Sequence, residues 1–180
     1  MKKFTILLVI CILILPSKAQ EPQELPVFHR LMVFNEQNEI LVAKIEYSEF
    51  WVTPGFYQSK DQSIKNGIDS LSATYGIVLK DVKLNGTFIL NRQINGTKST
   101  SLRHVYTAKI NKMDAKLPAG IETIRWLSID EAAQTINFPH INAMILQIAA
   151  HPDTLWGGTL LQYKEDDRWQ SKILEDFYAL

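Results

Sequence analysis

The chain has 180 residues, 46% of them hydrophobic, and its 19 basic side chains balance 19 acidic ones. That length suits one well-buried domain and is short for two. A chain without a basic excess lacks the electrostatic footprint of nucleic-acid binding, which excludes that class.

Lys2 and Lys3 precede an apolar run at 4–15 and then Pro16-Ser17-Lys18-Ala19. This reads as a secretory signal peptide over 1–20, cleaved near Ala19 or Gln20. The run is about twelve residues long, against about twenty for a spanning helix. A secreted or periplasmic protein with no stable membrane span after cleavage is therefore expected. The only cysteine, Cys11, lies inside the run, so the mature chain is expected to rely on its core and not on disulfides. Losing Lys2, Lys3 and Lys18 leaves 16 basic residues against 19 acidic ones, a net charge of about −3.

After a leader at 21–26, residues 27–34 (VFHRLMVF) and 39–45 (EILVAKI) have strand character around Asn35-Glu36-Gln37-Asn38, which predicts a β-hairpin. A loop through Lys60 leads to a helix predicted from Asp61 to Tyr75, because Ile64, Ile68, Leu71 and Tyr75 recur at helical spacing. Gly67 within it costs up to about 1 kcal/mol relative to alanine. A close approach of the helix backbone to the sheet is expected there, and Gly76 is placed to end the helix as its C′ residue. Residues 82–90 and 102–110 read as two more strands around a polar segment. Asn85-Gly86-Thr87 and Asn95-Gly96-Thr97 are glycosylation acceptors in a eukaryotic secretory route, but Asn-Gly is also a tight-turn pair, and a hairpin turn is expected at both. Residues 121–129 (IETIRWLSI) predict a strand leading into a short helix, and 141–150 (INAMILQIAA) a second large helix starting after Phe138-Pro139-His140. Residues 151–180, with Trp156-Gly157-Gly158-Thr159 and Phe177-Tyr178, are expected to pack on the domain as a C-terminal extension.

From Trp51 to Ile77 the chain reads WVTPGFYQSKDQSIKNGIDSLSATYGI. This resembles the signature of the Nudix hydrolases, G-x5-E-x7-R-E-U-x-E-E-x-G-U with U aliphatic, which usually follows a W-x-x-P-G-like strand end. Trp51, Pro54 and Gly55 match that strand end, one residue shorter than the usual W-x-x-P-G-G. Counting back from Gly76 places Gly55 at the first glycine, Asp61 at the first acid, and Leu71 and Ile77 at aliphatic positions. Arg125-Trp126 and Asp130-Glu131 resemble the family's later R-W-U-x-U-D-E. The resemblance covers residues 27–150 and implies an α/β Nudix fold, a mixed β-sheet sandwiched between helices (α/β/α).

The chemistry positions depart from the pattern. Asp69 stands at the arginine, Ser70 at the glutamate after it, and Ala73 and Thr74 at the paired glutamates. In the family these acids hold Mg²⁺ or Mn²⁺ ions that activate water and neutralise a diphosphate; hard cations need oxygen ligands, and only Asp61 and Asp69 remain as anions. On a continuous helix those two would lie about 12 Å apart along the axis and about 80° apart around it, too far for one ion to bridge. Asp61 is the one candidate metal ligand, with Mg or Mn required only if the chain is catalytic, and no residue is assigned as catalytic. His29, His104, His140 and His151 lack metal-ligand spacing and read as structural.

The resemblance further implies a cleft between the signature helix and the sheet. Arg30, Lys44, Trp51, Tyr57 and Tyr106 are its candidate ligand-binding residues. The leading expectation is an exported Nudix-fold protein that lacks standard diphosphate hydrolysis and binds a small nucleotide-like ligand or a protein. The alternatives are an atypical metal-dependent hydrolase of a nucleoside diphosphate derivative, with Asp61 joined by Glu46, Glu49 or Glu122, and an interaction module using the aromatic tail.

Overall fold

In a computed structural model that describes residues 24–114 and 116–180, the first strand pair forms around a short polar turn. The expected signal peptide lies outside the described residues. Strands β1 (Val27–Phe34) and β2 (Ile40–Ile45) are antiparallel. The Asn35 carboxamide oxygen closes the turn by accepting from the backbone N–H of Gln37 and Glu39, at 3.0 and 2.9 Å, as asparagine does when it mimics a backbone turn. Two short strands follow, β3 (Trp51–Val52) against β2 and β4 (Gly55–Tyr57) against β1.

Helix α1 spans Ile64–Thr74. It begins later than the apolar spacing predicts because Ser63 caps it, its side chain accepting from the Asn66 backbone N–H at 3.1 Å. Asp61 falls before the cap, in a left-handed conformation with φ 63°. The helical spacing inferred between Asp61 and Asp69 therefore does not apply. Gly76 follows the C-cap with φ 67°, and a Cβ there would meet the Asp114 carbonyl oxygen at 1.9 Å. A Cβ on Gly67 would lie 2.3 Å from the Phe56 ring, so the helix backbone does rest closely on β4. Phe56 is itself stacked on His29, centroids 4.8 Å apart, which limits how far the ring can yield. Gly67→Ala is accordingly expected to destabilise by about 1–3 kcal/mol through overpacking, reversing the sign that helix propensity alone dictates. Urea denaturation checks this, and a stabilised variant would show that Phe56 repacks freely.

The central strands β5 (Ile77–Ile94) and β6 (Thr97–Met113) are far longer than predicted. They absorb the polar Asn/Gly/Ser/Thr tract on both sides of a two-residue turn at Asn95-Gly96, where φ is 50° and 77°, the geometry for which Asn-Gly is favoured. The other Asn-Gly pair makes no turn. Asn85 lies within β5 beside a register shift and is fully buried, its amide donating to the Pro152 carbonyl at 2.6 Å while its carbonyl accepts from the Thr107 hydroxyl at 2.6 Å. A glycan has no access to it in the folded protein.

Strand β7 (Ile121–Leu127) pairs with β2, and α2 (Ile129–Thr135) starts at a capping box in which Ser128 and Glu131 bond reciprocally. Helix α3 (Pro139–Ala150) has proline in its first turn, where the missing N–H costs nothing. The last 25 residues form a hairpin of β8 (Trp156–Glu165) and β9 (Arg168–Ala179), with β8 parallel to β5. The sheet order is β3-β2-β1-β6-β5-β8-β9, with β4 on β1 and β7 on β2. Leu160 of β8 is fully buried, so the hairpin belongs to the core.

The sheet has two covered faces. Under α3 lie Met32, Val42, Phe88, Leu90, Val105 and Leu160, packed on Ile141, Met144, Ile145 and Ile148. Under α1 lie Leu31, Val33, Leu41 and Tyr106, packed on Ile68 and Tyr75. No helix among the described residues is long and apolar enough to cross a membrane.

Candidate functional site

Strand alternation places a set of basic and aromatic side chains on the α3 face, toward the N-terminus of that helix. Paired residues of neighbouring strands share a face. Phe28 pairs with Arg103 and Arg103 with Phe88, while Arg30 pairs with Val105. Farther out, Arg92 of β5 pairs with Gln162 of β8, Gln162 with Ser171 of β9, and Lys164 with Trp169. Above this floor the first turn of α3 brings His140, and before it Phe138, whose ring centroid is 5.5 Å from Trp169 and 6.0 Å from His140.

The guanidinium groups are buried without an acid. Arg30 is 5% and Arg103 7% exposed, and His140 is 4% exposed. Arg30 Nη1 donates to the carbonyl and hydroxyl of Thr53 at 3.1 and 2.8 Å. Arg103 lies over the Phe28 and Tyr57 rings at 4.9 and 5.7 Å, and Arg30 over Phe28 at 5.1 Å, contacts that hold a cation without neutralising it. The Nε–H groups of Arg30, Arg92 and Arg103, the Trp169 indole N–H and His140 Nδ1 are buried with no hydrogen-bond partner. Arginine and tryptophan nitrogens only donate, and a buried donor left unpaired costs about 1–3 kcal/mol. Such an array suits a ligand rich in acceptors and negative charge.

Mutual repulsion is visible in the ionisation of these groups. Burial and the nearby Arg103 push Arg30 down to about 9, which leaves it charged at neutral pH. Burial, then Arg30, Arg103 and Arg92, hold His140 well below the usual imidazole range. On the opposite face His29 and His104, side by side on β1 and β6, are also lowered, chiefly by burial. Their folded-state values lie below the ordinary 6.5, so the unfolded chain binds protons first as pH falls. The resulting stability is complete above that value and lost progressively below it. Melting temperature should stay level above about pH 7 and drop below about 6.5; a level curve down to about pH 5 would mean that these imidazoles are not held neutral.

Of the residues singled out in the sequence, Arg30 and Tyr57 come together here. Trp51 lies toward the same face at the β2 edge, beneath Arg125 at 4.9 Å. Lys44 is paired with Glu122 at 3.1 Å. Tyr106 points to the α1 face, its hydroxyl 3.4 Å from His29 Nδ1. The structure adds Arg92, Arg103, His140 and Trp169. Arg92 and Arg103 carried a legible signal, since each is a basic residue in phase with the apolar positions of its strand, Phe88 and Leu90 or Val105. Trp169 carried none without an assigned strand around it.

Helix α1 offers little to a hard cation. Asp69 is engaged by Lys65 at 2.5 Å, while Ser70, Ala73 and Thr74 are exposed and uncharged. Among the described residues no group of three or more His, Cys, Asp or Glu side chains is placed to hold a metal ion. These residues do not fit the Mg²⁺ or Mn²⁺ set that the resemblance implies.

No protein-family model matches the sequence, and no curated protein matches it. Solved structures match it in fold. The MutT protein from Bacillus halodurans is 19% identical, with 83% of this chain and 98% of that one covered and a TM-score of 0.63. The Nudix domain of Shewanella oneidensis NrtR, in complex with ADP-ribose, is 14% identical over 72% of this chain and 90% of its own, at 0.60. A Nudix hydrolase from Nitrosomonas europaea is 18% identical over 71% and 90%, at 0.57. The chain has the Nudix fold, a mixed sheet with flanking helices.

Proposed function

We propose that this Nudix-fold protein binds a small, anionic, nucleotide-like ligand on the arginine-lined face beneath α3 and does not carry out standard metal-dependent diphosphate hydrolysis. The observation that carries the reading is the set of buried Nε–H donors of Arg30, Arg92 and Arg103 with no hydrogen-bond partner. A neutral ligand would leave that charge unbalanced; a phosphate or diphosphate accepts from several guanidinium N–H groups at once. That the Nudix domain of NrtR holds ADP-ribose agrees with a nucleotide-like occupant. The loss of hydrolysis follows from a degenerate signature helix. Ser70, Ala73 and Thr74 stand where the glutamates are expected and supply no charge to a metal. The N-terminal pattern at 1–20 adds export, which makes this a secreted or periplasmic binding protein.

Thermal melting with inorganic pyrophosphate, ADP and ADP-ribose tests the binding half. Ligand at about 100 times its Kd stabilises the folded state by about 2.7 kcal/mol, an upward shift of several degrees. The catalytic half is tested by phosphate release with Mg²⁺ and Mn²⁺, beside Asp61→Ala. Turnover that disappears in that variant overturns the non-catalytic reading and favours the atypical hydrolase.

A further inference from the structure

The β8–β9 hairpin lies beyond the stretch that resembles the Nudix family, yet it delivers Trp169 to the same face as the arginines. Two features of this residue bear on a ligand. Its indole N–H is buried without a partner, and it can only donate. Its ring forms an aromatic wall with Phe138, centroids 5.5 Å apart, at the end of the platform farthest from Arg30. Lys164, across the hairpin, lies over the same indole ring at 5.2 Å.

We propose that Trp169 is the specificity-determining residue of the site, taking a flat, acceptor-bearing ring while the arginines hold the anionic end of the same molecule. The inference rests on the anion-binding reading above and adds the chemistry of the ligand's other end. Spacing supports it. Trp169 lies two residues along the strands and two strands across from Arg92, about 7 Å in one direction and about 10 Å in the other, roughly 12 Å in all, a gap that a sugar and the reach of the arginine side chain span together. The chemistry agrees as well, because an indole face stacks on any flat ring, whereas its single N–H asks for an acceptor on that ring's edge.

The test compares ADP with inorganic pyrophosphate, which carry the same diphosphate with and without a ring, by calorimetric titration of the full protein and of Trp169→Leu and Trp169→Phe. Wild type is expected to bind ADP at least about tenfold more tightly than pyrophosphate, in line with a ring stacked on an aromatic side chain. Trp169→Leu should erase that preference, bringing ADP affinity down to that for pyrophosphate. Trp169→Phe keeps an aromatic ring against Phe138 while removing the N–H and part of the stacking area, so it should retain part of the preference even if the leucine variant unfolds. A preference intact in the leucine variant, or a loss in the phenylalanine variant equal to none, overturns the role of Trp169. So does equal binding of ADP and pyrophosphate by wild type, although the anion site would stand. Failure of wild type to bind pyrophosphate removes the anion site and this inference together.

Discussion

Arg103→Met should raise the melting temperature of the ligand-free protein and abolish its response to pyrophosphate. Arg103 is 7% exposed, its Nε–H has no partner, and burial lowers its ionisation, opposed by the Tyr57 phenol beside it and reinforced by Arg92. Replacing buried charge by an apolar side chain of similar volume commonly stabilises by about 1–4 kcal/mol. The stacking of Arg103 on Phe28 and Tyr57 offsets part of this, leaving a gain of about 1–2 kcal/mol. For a chain of this size that is roughly 2–8 °C in Tm. A more stable variant that no longer responds to pyrophosphate would show a trade of stability for binding at Arg103. The opposite result, a fall in Tm with pyrophosphate stabilisation unchanged, would make Arg103 a packing residue and remove the basis of the proposed site.

The largest loss of stability is expected at Phe88→Ala. Phe88 is 1% exposed and sits in the α3-side core, with its ring centroid 5.3 Å from that of Phe177. A Cβ on Gly86 would lie 2.3 Å from the Phe88 ring, and one on Gly158 would lie 2.7 Å from Phe177, so two glycines make room for this aromatic pair. Their rings join β5 to the C-terminal hairpin. Truncation to alanine leaves a cavity that the rigid strands around it cannot close, at a cost of about 3–5 kcal/mol. Guanidinium denaturation should show the midpoint fall with the slope unchanged. A cost below about 1.5 kcal/mol, the range of a tolerated core swap, would mean that the hairpin moves in to fill the space.

Much of the fold was legible in residue order, and the site only in part. Periodicity located α1, and the cap at Ser63 explains why Asp61 fell outside it. The lengths of β5 and β6 were not legible, because a tract of Asn, Ser, Thr and Lys has weak strand propensity until its partner supplies the ladder. For the site, the obstacle was parity. Tyr106 and Arg103 are three residues apart on one strand and so face opposite ways. Choosing between them required the pairing of Arg103 with Phe28, a relation between distant segments. Truncation of 152–180, which from sequence would test a detachable contact surface, instead removes buried Leu160 and two strands of the sheet.

The parallel pairing of β5 with β8 also dictates an order of assembly during synthesis. β5 and β6 close through a local hairpin as soon as both emerge, but the other edge of β5 must wait for residues 156–163. Until then a long strand bearing Phe88 and Leu90 presents unpaired backbone groups, the kind of edge through which chains aggregate. Because loop closure over such a separation is slow, a nascent chain is vulnerable until residues 156–163 have been made. Holding that edge covered is a task for a chaperone.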